Sequence, residues 1–308
     1  MDYLPIFYTS LVTILILIAV GFFLGKIKLV NEAANKVFAN LLLSVAMPCA
    51  LFSAFPHQFD SESWHLFLLA VGGGLAELVA AVIAAKLLFA RHRIGRFYFQ
   101  HQFAFIFNNA SFLGYPLTLA VFGAESMIIY SGLMLVFNVL LFSYGIWLFE
   151  HQLNFRLLRQ IVFNPNIIAV ILGLIFFLTS TSLPDFANQA ISYLGSLTTP
   201  LSLIVIGFML SHVSNWAKIF RRHQLFITCT LQLLFMPAMT YLVLALLHMP
   251  PMVRQMFTMI QALPTATSLA LFTEKYGGDK TVASELVLIS TIMSVITLPL
   301  VMNLVFRL

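Results

Sequence analysis

Chemistry-bearing side chains are few in this sequence, and they stand inside apolar runs. Glu77 is the one acidic residue deep in such a run, thirteen residues from both Trp64 and Ala90. At 1.5 Å per residue in a helix, that is about 20 Å from either end. A carboxyl at that depth is costly, so it is expected to face protein or water and to serve a function. Burial disfavours its charged form, which suits carriage of a proton, with Na⁺ as the lesser alternative. The competing reading is a structural carboxylate held beside the close-packing stretch Gly72-Gly73-Gly74.

Two clusters of helix breakers and amides come next. The first holds Asn108, Asn109, Ser111, Gly114, Tyr115 and Pro116; the second holds Gln261, Pro264, Thr265, Thr267 and Ser268. Proline lacks an N–H and clashes with the preceding turn, and glycine weakens a helix further. Backbone freed at membrane depth is tolerated only against protein or a water-filled cavity. Two breaks near the midplane would aim the N-termini of half-helices at one spot, which suits a carboxylate without any lysine or arginine. Each cluster alone reads as a plain kink; the pair, in matching places, reads as a binding site. Asn138, midway along its segment, is either part of that site or a bridge between helices. Ser44, Pro48, Ser196 and Thr199 are candidates to line the same cavity. Lys86 reads as an interfacial anchor, and His101 as structural.

Other chemistries leave no trace. The sequence has no HExxH, no GxSxG, no phosphate-binding lysine loop and no cluster of Cys and His. Neither an enzyme nor an ATP-driven pump is expected, and no cofactor. Any transport would run on a gradient of H⁺, Na⁺ or membrane potential, or be passive.

These residues need a membrane to position them. Of the 308 residues 61% are hydrophobic and 9% charged, and the mean hydropathy is +0.98. Soluble domains are about 45–50% apolar and about 25% charged. That excludes a soluble enzyme, a disordered chain and a nucleic-acid-binding domain. Each span needs about 20 apolar residues. Ten segments qualify: 5–25, 33–55, 64–90, 97–122, 126–149, 160–180, 187–210, 225–248, 254–273 and 281–306. The expected fold is therefore an all-α polytopic membrane protein with ten transmembrane helices. The first segment follows Asp2 rather than a basic stretch, so it reads as a span and not a cleaved signal.

Among the sixteen Lys and Arg, all but Arg254 and Arg307 fall beside odd-numbered loops. Basic loops stay cytoplasmic, so both termini are expected outside. The basic balance is then a topology signal and a contact with anionic lipid. Cys49 and Cys229 read as unpaired thiols in apolar runs.

The chain also repeats itself. With Pro48 set on Pro200, Ser44 meets Ser196, Leu51 meets Leu203 and Gly21 meets Gly173. Pro116 corresponds in position to Pro264. Two halves follow, 1–150 and 151–308, of five helices each. An odd number of spans inverts the second half, and inverted repeats with paired broken helices mark transporters.

The run Asn109-Ala-Ser-Phe-Leu-Gly114-Tyr-Pro116-Leu117 resembles the N-x4-G-x-P-L pattern of the auxin efflux carrier family, which includes plant and bacterial carriers. Ala262-Leu263-Pro264 with Phe272 and Tyr276, Trp147 to Glu150, Leu298-Pro299-Leu300 and Pro48 resemble further motifs of that family, in order along most of the chain. The resemblance implies an NhaA-like 5+5 inverted repeat with crossed, broken helices 4 and 9. Scaffold and transport domains would each be built from both repeats. It further implies elevator-type alternating access, often as a homodimer, with small organic anions such as malonate, malate or auxin-like acids as substrates. Substrate contacts would come from Asn108, Asn109, Gly114, Pro116, Asn138, Pro264, Thr265, Ser44, Pro48 and Thr199, with Glu77 as the ion-coupling group. Two departures stand out. Leu269 replaces the second proline of the plant carriers' ninth helix, and no long loop joins the halves. A sodium-coupled bile-acid-type symporter and a non-transporting membrane sensor or scaffold remain the alternatives.

Overall fold

The structure, a computed structural model, describes residues 3–56, 58–151, 155–211 and 222–307, without the side chains of 92, 93 and 155–158. Of the basic residues used above for orientation, Lys218 and Arg221 and the side chains of Arg93 and Arg156 lie outside the described residues. The described chain is helical throughout, with one isolated β-bridge.

Among the described residues, seven helices are long and apolar enough to cross a membrane. They are α1 (Tyr3–Lys26), α2 (Glu32–Phe52), α3 (Ser61–Leu88), α6 (Ala124–Glu150), α8 (Asp185–Ser211), α9 (His223–Leu246) and α12 (Lys280–Val305). Two shorter apolar helices are α5 (Ala110–Phe122) and α7 (Pro165–Leu178). The fourth and ninth segments are interrupted: α4 (Tyr98–Ile106) stops before α5, and α10 (Pro251–Gln261) stops before α11 (Ser268–Tyr276).

Local sequence explains the helix ends. The Asn31 side chain accepts from Ala34 N at the start of α2, Asn164 from Asn166 N and Ile167 N at α7, and Asp279 from Thr281 N and Val282 N at α12. Short polar side chains satisfy the donors that a helix start leaves unpaired. Prolines inside helices leave a different mark. Pro48, Pro116 and Pro237 each follow a π-helical turn with one residue between, at Leu42–Ala46, Ala110–Gly114 and Leu231–Phe235. The wider turn moves aside the carbonyl that the proline ring would strike.

The chain divides into two compact units, interleaved in sequence. The first takes residues 1–71, 111–138 and 160–214. In it α1 lies so close to the second half of α8 that a Cβ on Gly21 would strike the backbone of Ile204, and one on Gly207 the backbone of Ile18. Gly25 approaches Ser211 and Phe208 in the same seam. Bare backbone here allows van der Waals packing where lipid supplies no hydrophobic drive between helices. Gly173 of α7 likewise lies against Phe55, and Gly195 of α8 against Ala50.

The second unit takes residues 72–110, 139–159 and 215–308. It holds the lower part of α3, then α4, the end of α6, and α9 to α12. Its core is aromatic around Phe103, whose ring meets Phe107, Phe149 and Phe272 at centroid distances of 4.8, 5.8 and 5.4 Å. Gly73 of α3 packs against Leu244, Met249 and Phe257.

Candidate functional site

Two backbone breaks meet in the second unit. Residues 107–109 leave the helix after α4, and residues 262–267 leave it after α10. The freed groups satisfy each other. Asn109 N donates to Pro264 O at 2.7 Å, and Ala266 N donates to Phe107 O at 2.9 Å. Asn108 and Thr265 thus face each other as an antiparallel bridge. Buried main-chain groups must find partners, and here each break supplies the other's.

Side chains from neighbouring helices hold the second break. Gln232 of α9 donates from Nε2 to Leu263 O. Thr265 N donates to Ser290 Oγ of α12 at 3.0 Å. The Thr265 hydroxyl reaches Ala104 O and Gln232 Oε1, both at 3.4 Å.

An amide chain then runs from the first break to the acidic residue. Asn108 Nδ2 donates to Gln261 Oε1 at 2.7 Å. Gln261 Nε2 in turn donates to Glu77 Oε1. Glu77, Asn108, Asn109, Gln232, Gln261 and Thr265 are all buried. Thr240 of α9 neighbours the Glu77 carboxyl, although Thr240 Oγ1 and Glu77 Oε2 make no hydrogen bond of standard geometry. Asn108 Oδ1 is also buried without a partner. Among the described residues, no group of three or more His, Cys, Asp and Glu is placed to hold a metal.

The candidates read from sequence therefore separate. Asn108, Asn109, Pro264, Thr265 and Glu77 come together in the second unit. Gly114, Pro116, Asn138, Ser44, Pro48 and Thr199 fall in the first. Pro116 does not form the break. It follows a π turn inside the helical run Ala110–Phe122, whereas the chain leaves the helix at 107–109. Pro264 does sit in its break, so the two prolines are not structural equivalents. Asn138 Nδ2 bonds back to Met134 O at 2.7 Å, on its own helix. Ser44 is exposed, and the Thr199 carbonyl accepts from Ser202 Oγ at 3.0 Å. His101 Nδ1 pairs with Thr228 Oγ1 at 2.7 Å, and Lys86 lies 5.7 and 5.8 Å from the ring centroids of Tyr144 and Trp147.

Gln232, Ser290 and Thr240 escape a reading by motif. Gln232 did leave a signal, an amide in the middle of an apolar span, which asks for a buried partner. Ser290 left none, because a serine in a helix routinely bonds back to its own backbone.

Comparison with known proteins bears on the whole chain. The model of a family described as "Membrane transport protein" matches residues 6–154 and again 151–302. An "Uncharacterized transporter" of Methanothermobacter thermautotrophicus is 26% identical over 304 residues, spanning 94% of this chain and 96% of its own. An uncharacterized transporter of Methanocaldococcus jannaschii is 23% identical over 302 residues, spanning 93% of this chain and 95% of its own. With the two matches of the family model together spanning nearly its whole length, the chain belongs to the membrane transport protein family, the auxin-efflux-carrier type that its motifs resemble.

Proposed function

We propose that the protein is a secondary active transporter of small organic anions, working by elevator-type alternating access. The substrate carboxylate is held where the two breaks meet, and Glu77 carries the coupling ion. The observation that carries this reading is the pairing of Asn108 and Asn109 with Pro264 and Thr265. It sets two interrupted helices side by side with α5 and α11 starting from the breaks. Half-helix starts favour an anion, and the flanking side chains are neutral amides and hydroxyls that donate to carboxylate oxygens.

The same reading counts α4 with α5, and α10 with α11, as one interrupted span each. With α7 and the seven long helices this makes ten spans, of an NhaA-like type with crossed fourth and ninth helices. The two matches of the family model support an inverted repeat with halves at 1–150 and 151–308. The interleaved units support a scaffold and a transport domain drawn from both halves. Both termini then lie outside a bacterial inner membrane, and the assembly is a homodimer.

The test is transport in proteoliposomes, with malonate, malate and indole-3-acetate supplied with and without Na⁺ at several pH values. The expected result is a current or tracer flux for one of them, lost in Asn109→Ala and altered in its pH response in Glu77→Gln. Uphill transport by Glu77→Gln with an unchanged pH response would remove Glu77 from coupling. No flux with any acid, from a protein that melts cooperatively and is not stabilised by any of them, would overturn the anion carrier.

A further inference from the structure

We propose that Gln261 is a two-position relay that makes anion binding at Asn108 depend on a proton at Glu77; this rests on the transporter reading above. The geometry is a line of three side chains, Glu77 to Gln261 to Asn108, from α3, the end of α10 and the first break. All three are buried, so no bulk water competes for their hydrogen bonds.

Hydrogen-bond polarity along such a line is set from one end. A charged carboxylate only accepts. It therefore requires the Gln261 amide to turn its Nε2 towards Glu77. Gln261 Oε1 then faces Asn108 and requires Asn108 to present Nδ2. That is the arrangement in the structure, with the Asn108 to Gln261 bond at 2.7 Å. It leaves Asn108 Oδ1 as the spare atom, buried and without a partner. A bare carbonyl oxygen repels a carboxylate.

A proton bound to Glu77 Oε1 reverses the line. The new O–H donates to Gln261 Oε1 after a half-turn of the amide. The Asn108 amide turns likewise, Gln261 Nε2 donates to Asn108 Oδ1, and Asn108 Nδ2 becomes the spare group. An amide's oxygen and NH₂ ends are nearly the same size, so the same cavity holds both arrangements. Asn108 now offers a donor to an anion. One proton taken up at Glu77 accompanies one anion bound, and no other bond is made or broken.

The charged and titratable groups on the surrounding helices have partners of their own. On α10, Arg254 lies 5.4 Å from the centre of the Tyr241 ring of α9. His101 of α4 is held by Thr228. Lys86 of α3 lies against Tyr144 and Trp147, and Glu285 of α12 pairs with Arg222 at 3.2 Å. Thr240 gives the proton one other place, on Glu77 Oε2, from which the line would not turn.

The experiment measures malonate binding by purified protein between about pH 7 and 9, above the range in which free carboxyls titrate, so that malonate stays a dianion. Calorimetry in buffers of different ionisation enthalpy counts the protons taken up. In the wild type, affinity should fall by up to tenfold per pH unit, with about one proton taken up per malonate. Glu77→Gln can adopt the reversed line permanently, so it should bind with less than about twofold change over the range and take up none. Gln261→Met keeps the volume and removes the line; it should bind weakly at every pH and take up none. A wild-type pH slope and proton count retained in folded Gln261→Met would overturn the relay, with the proton assigned to the Thr240 side. A flat wild type would overturn it as well. If the wild type binds none of malonate, malate or indole-3-acetate, the anion-carrier reading falls and the relay with it, an outcome distinct from the other two.

Discussion

Asn108 and Gln261 touch through a single hydrogen bond of 2.7 Å, although 153 residues separate them in sequence. That bond ties the first helix break to the last residue before the second. It also connects the breaks to Glu77, since the other end of the Gln261 amide is on the carboxyl. Removing the Asn108 side chain leaves Gln261 Oε1 buried and unpaired. Such an orphan costs about 1–3 kcal/mol. Asn108→Ala also removes the side chain proposed to meet the anion, and is expected to lower the apparent affinity for a transported acid about tenfold, read as the half-saturating concentration in proteoliposomes.

The second break depends on α9 and α12. Gln232→Leu strips the Leu263 carbonyl of its donor and Thr265 Oγ1 of one acceptor. A loss of about 1–3 kcal/mol of stability is expected, seen as a lower midpoint in denaturant. Ser290→Ala leaves the Thr265 N–H without its acceptor and removes a bond to Val287 O, and should cost about 1–3 kcal/mol. Equal midpoints for Gln232→Leu and wild type would mean that the 262–267 stretch does not rely on this amide.

Pro116 is predicted to be dispensable for the break. The chain leaves the helix at 107–109, and its freed groups pair with the other break, not with anything Pro116 supplies. Pro116→Ala should keep transport within about twofold of wild type, a change below about 0.5 kcal/mol. A tenfold loss would show that the π turn before Pro116 is needed for the site's geometry.

The α1 and α8 seam has no room for a methyl group. Gly207→Ala would push a Cβ into the backbone of Ile18, Gly21 and Phe22. Overpacking of this kind costs about 1–3 kcal/mol. The variant should melt earlier in detergent, while Gly72→Ala, with open space at its Cβ, should melt like the wild type.

Asp60 gives a pH dependence outside the membrane. Its carboxylate accepts from Ser63 N at 2.8 Å and Glu62 N at 3.3 Å, capping α3. Those bonds, the one to Ser63 first, hold its pKa below the ordinary carboxylate value. A depressed folded pKa gives stability that is present above the unfolded value, about 3.9, and lost as pH falls through the folded one. Asp60→Ala should therefore melt earlier than wild type at neutral pH, and the gap should close below about pH 4. Asp60→Asn, which still caps, should show a smaller gap.

Much of this protein could be read along the chain because the signals were local. Apolar runs about as long as the bilayer is thick set the membrane class, since lipid must face nonpolar side chains for a full span. Glu77 was conspicuous because a carboxyl in such a run has no inexpensive place to be. Asn31, Asn164 and Asp279 sit at helix starts for reasons contained in the next three residues. The motif around Asn109 and Pro116 was enough to point to the family.

Other features depended on which groups meet. Pro116 and Pro264 look alike in sequence, yet only Pro264 lies in a break, because a π turn absorbs the first while the second has Asn109 N as a partner. Gln232 and Ser290 carry no motif, and they matter through the positions of Leu263 O and Thr265 N. Gln261 is one polar residue among several along the chain, whereas in the fold its two ends lie on Glu77 and Asn108. Sequence alone determined which residues are too polar for lipid. Only the tertiary structure decided how they satisfy one another, because a hydrogen bond is fixed by distance and direction in space and not by separation along the chain.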